Sequence, residues 1–158
     1  MTSNPGIASD RIQAALETGT SIFVGTIDVN MSPLCCRAIA LRADERLETA
    51  TVYVPISTSR DTLCNLATTR RIAVVVTKPI EHISVQLKGT SRTARLARDD
   101  EEAFVRSRLD WLAEALDRIG VPRRVTRSLA HWPAFAIEMD VDQIFEQTPG
   151  PRAGTRLR

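Results

Sequence analysis

The chain has 158 residues, the length of a single domain that can bury a hydrophobic core. Hydrophobic residues make up 43% and charged residues 25%, as in ordinary globular proteins, and a formal net charge of +2 is too small to indicate a nucleic-acid-binding protein. The sequence has no apolar run of about 18 residues to cross a membrane, and Met1 to Asp10 lack the basic and apolar regions of a signal peptide. We therefore expect a cytoplasmic protein with neither a nucleic-acid nor a membrane partner.

The cysteines and histidines do not form a recognisable metal or disulfide pattern. Cys35 and Cys36 are neighbours, and adjacent strand residues point to opposite faces, so they cannot easily bridge each other. Cys64 makes the number odd, and no CxxC is present, which argues against a disulfide framework or a zinc site. The two histidines, His82 and His131, are far apart and have no ligand at metal spacing. We interpret the thiols as buried small apolar groups and expect no metal.

The first half of the chain predicts one helix and three strands. Ile7 to Thr18 has helical apolar spacing, and Gly19 ends it. Ser21 to Val29 and Pro33 to Arg42 are β-branched and apolar with turn formers between them, which predicts a β-hairpin. Leu47 to Pro55 alternates with a period of two, as a third strand does.

A helix and two further strands are predicted next. The helix has Thr58 or Ser59 as a candidate N-cap. Ile72 to Pro79 is a continuous apolar run, which predicts a strand buried on both faces. Ile83 to Leu96 predicts a long strand, and Gly89 in its middle indicates a bulge or a bend.

The last third of the chain carries the strongest helix signal. Asp99 to Ile119 begins with four acidic residues, which complement the positive end of the helix dipole. Its apolar stripe consists of Val105, Leu109, Leu112, Leu116 and Ile119. Gly120 ends the helix, a short helix can follow Pro122, and Pro133 to Gln147 alternates as a final strand.

The order of these elements, β-β-β-α-β-β-α-β, is not the alternation of a doubly wound nucleotide-binding sheet. Six mostly antiparallel strands avoid exposed edges if the sheet closes on itself. We therefore predict a mainly β (β+α) fold, a six-stranded antiparallel barrel with flanking helices. Residues 1–20 are expected to form an N-terminal helix or arm, residues 21–147 the barrel domain, and residues 148–158 a C-terminal tail.

One segment has the composition of a phosphate-binding site. Pro55 to Thr62, PISTSRDT, lies between a strand end and a helix start and places hydroxyl side chains around Arg60. The hydroxyl residues are Ser57, Thr58, Ser59 and Thr62. Unpaired N–H groups and the helix dipole favour an anion there, and hydroxyls with one guanidinium suit a phosphate monoester. The alternative is that one hydroxyl caps the helix and the others are solvated.

Three further polar residues are candidates for ligand contacts. Arg37 lies in the middle of a predicted strand, where it needs an anionic partner or access to water. Gln86 and Lys88 share one face of their strand and can reach the rim of a ligand site, although both can also be plain surface residues. No GxGxxG, P-loop or GxSxG motif is present, and no side chain stands out as a general acid or base. The catalytic residues are therefore unassigned.

Four pieces of the chain together resemble the FMN-binding split-barrel family that includes pyridoxamine 5′-phosphate oxidase. These pieces are the hairpin FVGTIDVNMSPLCCRAIAL, the passage TSRDTLCNLATTRRIAVVV, the strand SVQLKGTSRTARL and the tail QTPGPRAG. The resemblance spans about Ile22 to Gly154 and rests on the order and spacing of the pieces. It implies a homodimeric split barrel that binds FMN between two subunits, with the phosphate held by basic and hydroxyl residues of one chain.

The resemblance also implies roles for individual residues. Arg37 matches the basic residue of the second strand, Ser59 and Arg60 fall in the phosphate loop, and Ser84 matches a polar flavin contact. The chain departs from the full oxidases at Thr62, where they usually place a lysine, and it lacks their C-terminal pattern for pyridoxal phosphate. The resemblance therefore implies a small relative, not the true oxidase: a flavin-dependent oxidoreductase acting on a small molecule. The alternative is a non-catalytic protein that binds flavin, haem or another anionic ligand on the same dimeric fold.

The end of the chain, EQTPGPRAGTRLR, has two prolines and two glycines between Pro149 and Gly154, which exclude a helix or a central strand. It is either a disordered end or a segment that lies on a partner subunit or a ligand site. We predict that the prolines steer it along the dimer surface and place Arg152, Arg156 and Arg158 near the partner's phosphate site. Deleting residues 148–158 is then expected to change dimerisation or flavin affinity.

Overall fold

A computed structural model describes residues 19–158 together with Ile12 and Leu16. The predicted helix at Ile7 to Thr18 therefore lies largely outside the described residues. Ile12 and Leu16 are both helical and pack against the hydrophobic core. None of the helices in the described part is both long and apolar enough to cross a membrane.

In the described residues, seven strands form one sheet in which every neighbouring pair is antiparallel. The strands are β1 (Ser21–Ile27), β2 (Pro33–Ala38), β3 (Ala40–Ala43), β4 (Thr49–Pro55), β5 (Arg71–Thr77), β6 (Ser84–Leu96) and β7 (Ala134–Glu146). Their order across the sheet is β2-β1-β5-β6-β7-β4-β3. The predicted hairpin is present as β1 and β2, and the Asp28 carboxylate accepts the N–H groups of Asn30 and Ser32 in its turn.

A bend at Ile39 explains why there are seven strands and not the six predicted. The predicted second strand is split there: β2 pairs with β1, whereas β3 pairs with β4. These two segments are the opposite edges of the sheet, so the bend joins the edges and curls the sheet into a split barrel. Ile39 is buried, and its N–H donates to the carbonyl oxygen of Tyr53. The predicted fold class is confirmed, with this strand counted as two.

The inside of the curled sheet is the main core. Alternate residues of the strands enter it, which is the period of two seen in the sequence. Its members without exposed surface are Val24, Val52, Val54, Val74, Val76, Leu87, Ile137 and Met139. Burying one such side chain adds about 1.5–3 kcal/mol to the free energy of unfolding, relative to leaving it exposed.

Three described helices flank the sheet: α1 (Arg60–Thr69), α2 (Glu102–Asp117) and α3 (Arg123–Arg127). α1 packs on the core through Leu66, and α2 packs on the outer side of β3, β4 and β7 through Val105 and Leu109. The predicted apolar stripe of α2 is buried up to Leu112, whereas Ile119 is exposed because the helix ends two residues before it.

A buried carboxylate fastens the start of α2 to the sheet. Glu101 accepts a hydrogen bond from the Tyr53 hydroxyl at 2.8 Å and from both terminal nitrogens of Arg95 at 2.7 and 2.9 Å. The N–H of Arg98 donates to the same carboxylate at 2.7 Å. The bonds from Arg95 lower the pKa of Glu101 to about 2, whereas burial and the bond to Glu101 raise the pKa of Tyr53 to about 12.

The predicted bulge at Gly89 is confirmed. The register of β6 and β7 shifts between Lys88 and Gly89, which leaves Asp142 of β7 as an extra residue. A Cβ atom at Gly89 would lie 1.8 Å from the carbonyl oxygen of Asp140. The position therefore requires glycine because the two backbones approach each other too closely for a side chain.

The C-terminal tail adds a short stretch of pairing to β7. β4 accompanies β7 only as far as Asp140, and beyond that point the tail takes its place, with Phe145 opposite Arg156. The Arg158 guanidinium donates to the carbonyl oxygens of Arg46, Leu47 and Val141. Arg158, which we predicted to lie near the partner's phosphate site, is thus bound to carbonyl groups of its own chain.

Candidate ligand-binding face of the sheet

Four neighbouring strands, β2, β1, β5 and β6, turn one side outward, and we call this side the open face. It consists of the residues that alternate with those of the core. On β5 these are Ala73, Val75 and Thr77, which are half-buried. The sequence predicted that this strand is buried on both faces because its apolar run is continuous, and this is wrong for the single chain, which buries only the inner face.

A row of hydroxyl groups crosses one end of the open face. Strand register places Ser21 beside Thr77 and Thr77 beside Ser84. Thr77 Oγ1 and Ser84 Oγ are 2.8 Å apart, and the buried Ser84 also donates its N–H to Thr148 Oγ1 at 3.0 Å. At the other end of this hydroxyl row, the Arg37 guanidinium donates to Ser21 Oγ at 3.1 Å.

Arg37 is a half-buried cation without a carboxylate partner in the described part of the chain. Its guanidinium carbon lies 4.6 Å from the centre of the Phe23 ring, directly across the strand pair. A ring and a hydroxyl offset a guanidinium charge only in part. The geometry leaves Arg37 able to take an anion.

Lys88 and Gln86 occupy the same face on β6. Lys88 Nζ lies 4.6 Å from the centre of the Phe145 ring. The Gln86 side-chain oxygen accepts a hydrogen bond from Gln147 Nε2 at 3.2 Å. Neighbouring strands are about 4.8 Å apart, and three such spacings separate β2 from β6. The backbones at Arg37 and Gln86 are therefore roughly 14 Å apart across the open face.

The predicted phosphate-binding segment begins as a 3₁₀ turn over Ile56–Thr58 that leads into α1. Thr58 Oγ1 donates to the Pro55 carbonyl oxygen at 3.4 Å, and Ser59 Oγ donates to the Ile56 carbonyl oxygen at 3.1 Å. Ser59 is the N-cap residue of α1, as predicted, but neither hydroxyl makes a capping hydrogen bond to the helix. The preceding turn offers these hydroxyls carbonyl acceptors three residues back, which compete with the helix N–H groups.

The members of this segment differ in how accessible they are. Ser57, Thr58 and Arg60 are exposed, whereas Ser59 and Thr62 are buried. Thr62 Oγ1 donates a hydrogen bond to the sulfur of Cys36 on β2 at 3.1 Å. The exposed members are therefore the ones that can still reach a ligand from solvent.

The cysteines are less buried than the sequence suggested. Cys35 and Cys64 are exposed and Cys36 is half-buried, so the prediction of buried thiols is wrong for the first two. Cys35 lies on the open face of an edge strand, and Cys64 lies on an exposed side of α1. Burial raises the pKa of Cys36, whose sulfur is the partner of Thr62.

The structure thus separates the predicted site residues into two groups. Four lie on the open face, namely Arg37, Ser84, Gln86 and Lys88. The others, Ser57, Thr58, Ser59, Arg60 and Thr62, lie at the start of α1. The two groups meet at β2, where Cys36 faces Thr62 on the inner side and its neighbour Arg37 faces outward.

Sequence reasoning missed several residues of the open face. Ser21 and Thr77 complete the hydroxyl row, and Phe23 and Phe145 hold the two cations. Their polar or aromatic character at outward strand positions was visible, but only the strand register shows which of them are neighbours. Thr148 joins them because the tail crosses the end of β6.

A cavity of about 770 Å³ also opens on this face, further along the strands. Of the predicted site residues it includes only Lys88. Its volume is within the range of small-molecule sites. The cavity and the hydroxyl row are therefore neighbouring features of one face, with Lys88 between them.

No protein-family model matches the sequence, and no curated protein sequence matches it either. Solved structures do match. HupZ of Group A Streptococcus has a TM-score of 0.52 at 17% identity, with 98% of this chain and 100% of that chain covered. An F420 reductase has a TM-score of 0.51 at 14% identity, with 84% and 94% covered. An FMN-binding protein from Syntrophomonas wolfei has a TM-score of 0.51 at 11% identity, with 89% and 93% covered.

These likenesses extend over nearly the whole of each chain, but at identities this low they concern the fold. The chain has the split-barrel fold of the FMN-binding, pyridoxamine 5′-phosphate oxidase-like proteins that its sequence resembles. Fold alone does not determine activity, so the function has to be argued from the open face.

Proposed function

We propose that the chain is a homodimeric flavoprotein that binds FMN on the open face and acts as an oxidoreductase on a small molecule. The observation that carries this proposal is Arg37, a half-buried cation at the end of a row of hydroxyl groups, with no carboxylate partner in the described residues. A guanidinium beside hydroxyl donors suits a phosphate group.

The remaining polar residues of the open face fit a flavin. Ser84, Gln86 and Lys88 can hydrogen-bond to the heteroatoms of an isoalloxazine ring, and Phe23 offers an aromatic surface. The exposed Arg60 at the start of α1 is a second cation for the phosphate. When bound, FMN supplies hydride or electron transfer, and the protein orients it and excludes water. The names of two structural neighbours, an FMN-binding protein and an F420 reductase, support a flavin or deazaflavin.

The open face also supports the homodimer. It exposes 38% of Phe23 and leaves Val75 half-buried, although the apolar run of β5 is typical of a strand covered on both sides. A second copy of the chain seated on this face buries both residues. It also encloses the hydroxyl row, which is how a cofactor comes to lie between two subunits.

The alternative is a non-catalytic protein that binds flavin, haem or another anionic ligand, and the positions of the displaced pKa values are compatible with it. The groups with strongly displaced pKa values, Tyr53 and Glu101, lie beneath α2 and not on the open face. Displaced pKa values often mark catalytic acids and bases. Chemistry carried entirely by a cofactor is compatible with this arrangement, and so is binding alone.

Replacing Arg37 by glutamine is expected to weaken FMN binding about tenfold or more, because a charge-assisted contact to phosphate is lost. Riboflavin has no phosphate, so its affinity should change much less. The measurement is quenching of flavin fluorescence during titration with protein. Arg42→Gln is the matched control, since Arg42 also lies over a ring, that of Phe104 in α2, but on another face of the molecule.

An absorption spectrum of the purified protein separates the two proposed functions. Flavin bands and reduction of the bound flavin by a nicotinamide donor support the oxidoreductase. A haem spectrum, or flavin that no donor reduces, supports the binding protein. Absence of any flavin affinity in the unchanged chain would refute the FMN site.

Replacing Val75 by aspartate is expected to convert the dimer to a monomer, since a second copy seated on the open face would have to bury the new carboxylate at its centre. Light scattering after size-exclusion chromatography gives the mass directly. The same change at Ala67, which is exposed on α1, should leave the mass unaltered. A monomeric unchanged chain would contradict the homodimer while leaving flavin binding to be judged by its own titration.

A further inference from the structure

The 770 Å³ cavity has a flat floor made of backbone. Gly25 of β1 and Ala73 of β5 are direct neighbours there, and Gly89 of β6 follows Lys88, the neighbour of Ala73; none of Gly25, Ala73 and Gly89 has a side chain larger than a methyl group. Ile27 and Leu34 line the same cavity beside the floor. A floor of this kind fits a planar ring, which can lie close to the backbone.

The bulge in β7 supplies the polar wall. Consecutive residues of a regular strand point to opposite sides, yet Asp142 and Gln143, between the buried Val141 and Ile144, are both accessible and both line the cavity. The register shift opposite Gly89 removes the alternation at this point, and bulges commonly re-aim side chains at functional sites. The close backbone approach at Gly89 and the polar wall are therefore two results of one irregularity.

Two cations line the cavity without a carboxylate partner. Neither Arg71 nor Lys88 has an acidic oxygen within 4.0 Å in the described part of the chain; Arg71 touches the sulfur of Met31 at 3.8 Å, and Lys88 lies over a ring. The nearest wall carboxylate, Asp142, instead accepts a hydrogen bond from Thr90 Oγ1 at 3.4 Å. The cavity thus has two cations that can bind an anion and one carboxylate that can accept a hydrogen bond from a ligand.

We propose that this cavity is a second ligand site, which binds a small aromatic carboxylate bearing an amino or hydroxyl group. Arg71 and Lys88 bind the carboxylate, the ring lies on the floor, and Asp142 accepts the hydrogen bond of the substituent. A dianionic phosphate fits less well because the charge of Asp142 repels it more strongly than it repels a monoanion.

The binding proposal does not require a flavin. Its biological role does, and that part rests on the proposed function. If FMN occupies the hydroxyl row, Lys88 contacts both sites, and the aromatic ligand lies beside the cofactor as the small molecule that is oxidised or reduced.

The test uses flavin-free protein and 4-aminobenzoate, followed by nuclear magnetic resonance of the backbone amides. The amide signals of Gly25, Ala73 and Gly89 are expected to move together with one dissociation constant. Arg71→Gln and Lys88→Gln should each weaken binding about tenfold, whereas Arg92→Gln, which removes an exposed cation from the same strand as Lys88, should leave the affinity unchanged.

Three ligands separate the contributions. 4-Aminobenzamide lacks the charge and should bind at least about tenfold more weakly, and benzoate lacks the donor for Asp142 and should bind more weakly by a smaller factor. Equal affinities for the carboxylate and the amide, or signals that move outside the cavity, would overturn the proposal. FMN is absent from this titration. If 4-aminobenzoate does not bind, the proposed FMN site is unaffected, and if FMN does not bind, the result for 4-aminobenzoate can still be interpreted.

Discussion

Replacing Gly89 by alanine is expected to destabilise the protein by at least about 3 kcal/mol and to lower its melting temperature by roughly 10 °C. The new Cβ atom would lie 1.8 Å from the carbonyl oxygen of Asp140, and the second close atom is the carbonyl carbon of the same residue at 2.9 Å. Backbone atoms cannot rotate away as a side chain can. β6 and β7 must therefore separate, which breaks ladder hydrogen bonds on both sides of the bulge.

Gly25→Ala is the matched control. Gly25 lies on the same cavity floor, but a Cβ atom there would have no neighbour closer than 3.8 Å, an ordinary van der Waals contact. Its expected effect is less than about 1 kcal/mol, and it can even stabilise because alanine reduces the entropy of the unfolded chain. Urea denaturation of both variants compares the two glycines directly. Similar losses at both positions would show that the close approach at Gly89 does not decide the result.

Replacing Glu101 by glutamine is expected to cost about 3 kcal/mol of stability at pH 7. The carboxylate is 4% exposed and accepts both terminal nitrogens of Arg95 together with the Tyr53 hydroxyl. Glutamine offers one acceptor oxygen in place of two and carries no charge, so the half-buried guanidinium of Arg95 keeps only its longer ion pair with Glu138 at 3.5 Å. Glu102→Gln is the control, because its ion pair with Arg106 is solvent-exposed and such pairs contribute less than about 1 kcal/mol.

The same carboxylate makes the stability depend on pH. The pKa of Glu101 is lowered from 4.5 to about 2, chiefly by the hydrogen bonds of Arg95, so the unfolded chain takes up the proton at a higher pH than the folded one. Its contribution is complete above about pH 4.5 and is lost as the pH falls through about 2. The stability difference between the unchanged chain and Glu101→Gln should therefore shrink between pH 5 and pH 2. A constant difference over that range would contradict the assignment.

The contribution of Tyr53 to the stability depends on pH in the opposite direction to that of Glu101. Its pKa is raised from 10.0 to about 12 by burial and by the bond to Glu101, so its contribution is present below pH 10 and is lost as the pH rises through 12. Together the two residues fasten α2 to the sheet over the whole neutral range. This cluster lies beneath α2 and away from the open face.

The alternation of strand residues, the position of the main helix and the bulge could all be predicted from the sequence. β-Branched and apolar residues indicated β1, alternation with a period of two indicated β4 and β7, and the acidic first turn located α2. Gly89 within a long strand predicted the register shift that the structure contains. These features depend on local chemistry: backbone freedom, helix dipole and side-chain periodicity act over a few residues and are legible in the chain.

Which strands are neighbours, and therefore which residues form the candidate sites, became clear only from the three-dimensional structure. Ile39 divides one predicted strand between two edges of the sheet, and no local signal distinguishes such a bend from a continuous strand. The hydroxyl row brings Ser21 beside Thr77, which is 56 residues further along the chain, and the cavity is lined by both Arg71 and Lys88. Pairing between distant strands depends on the whole core being formed at once, so these juxtapositions could not be predicted from any single stretch of sequence.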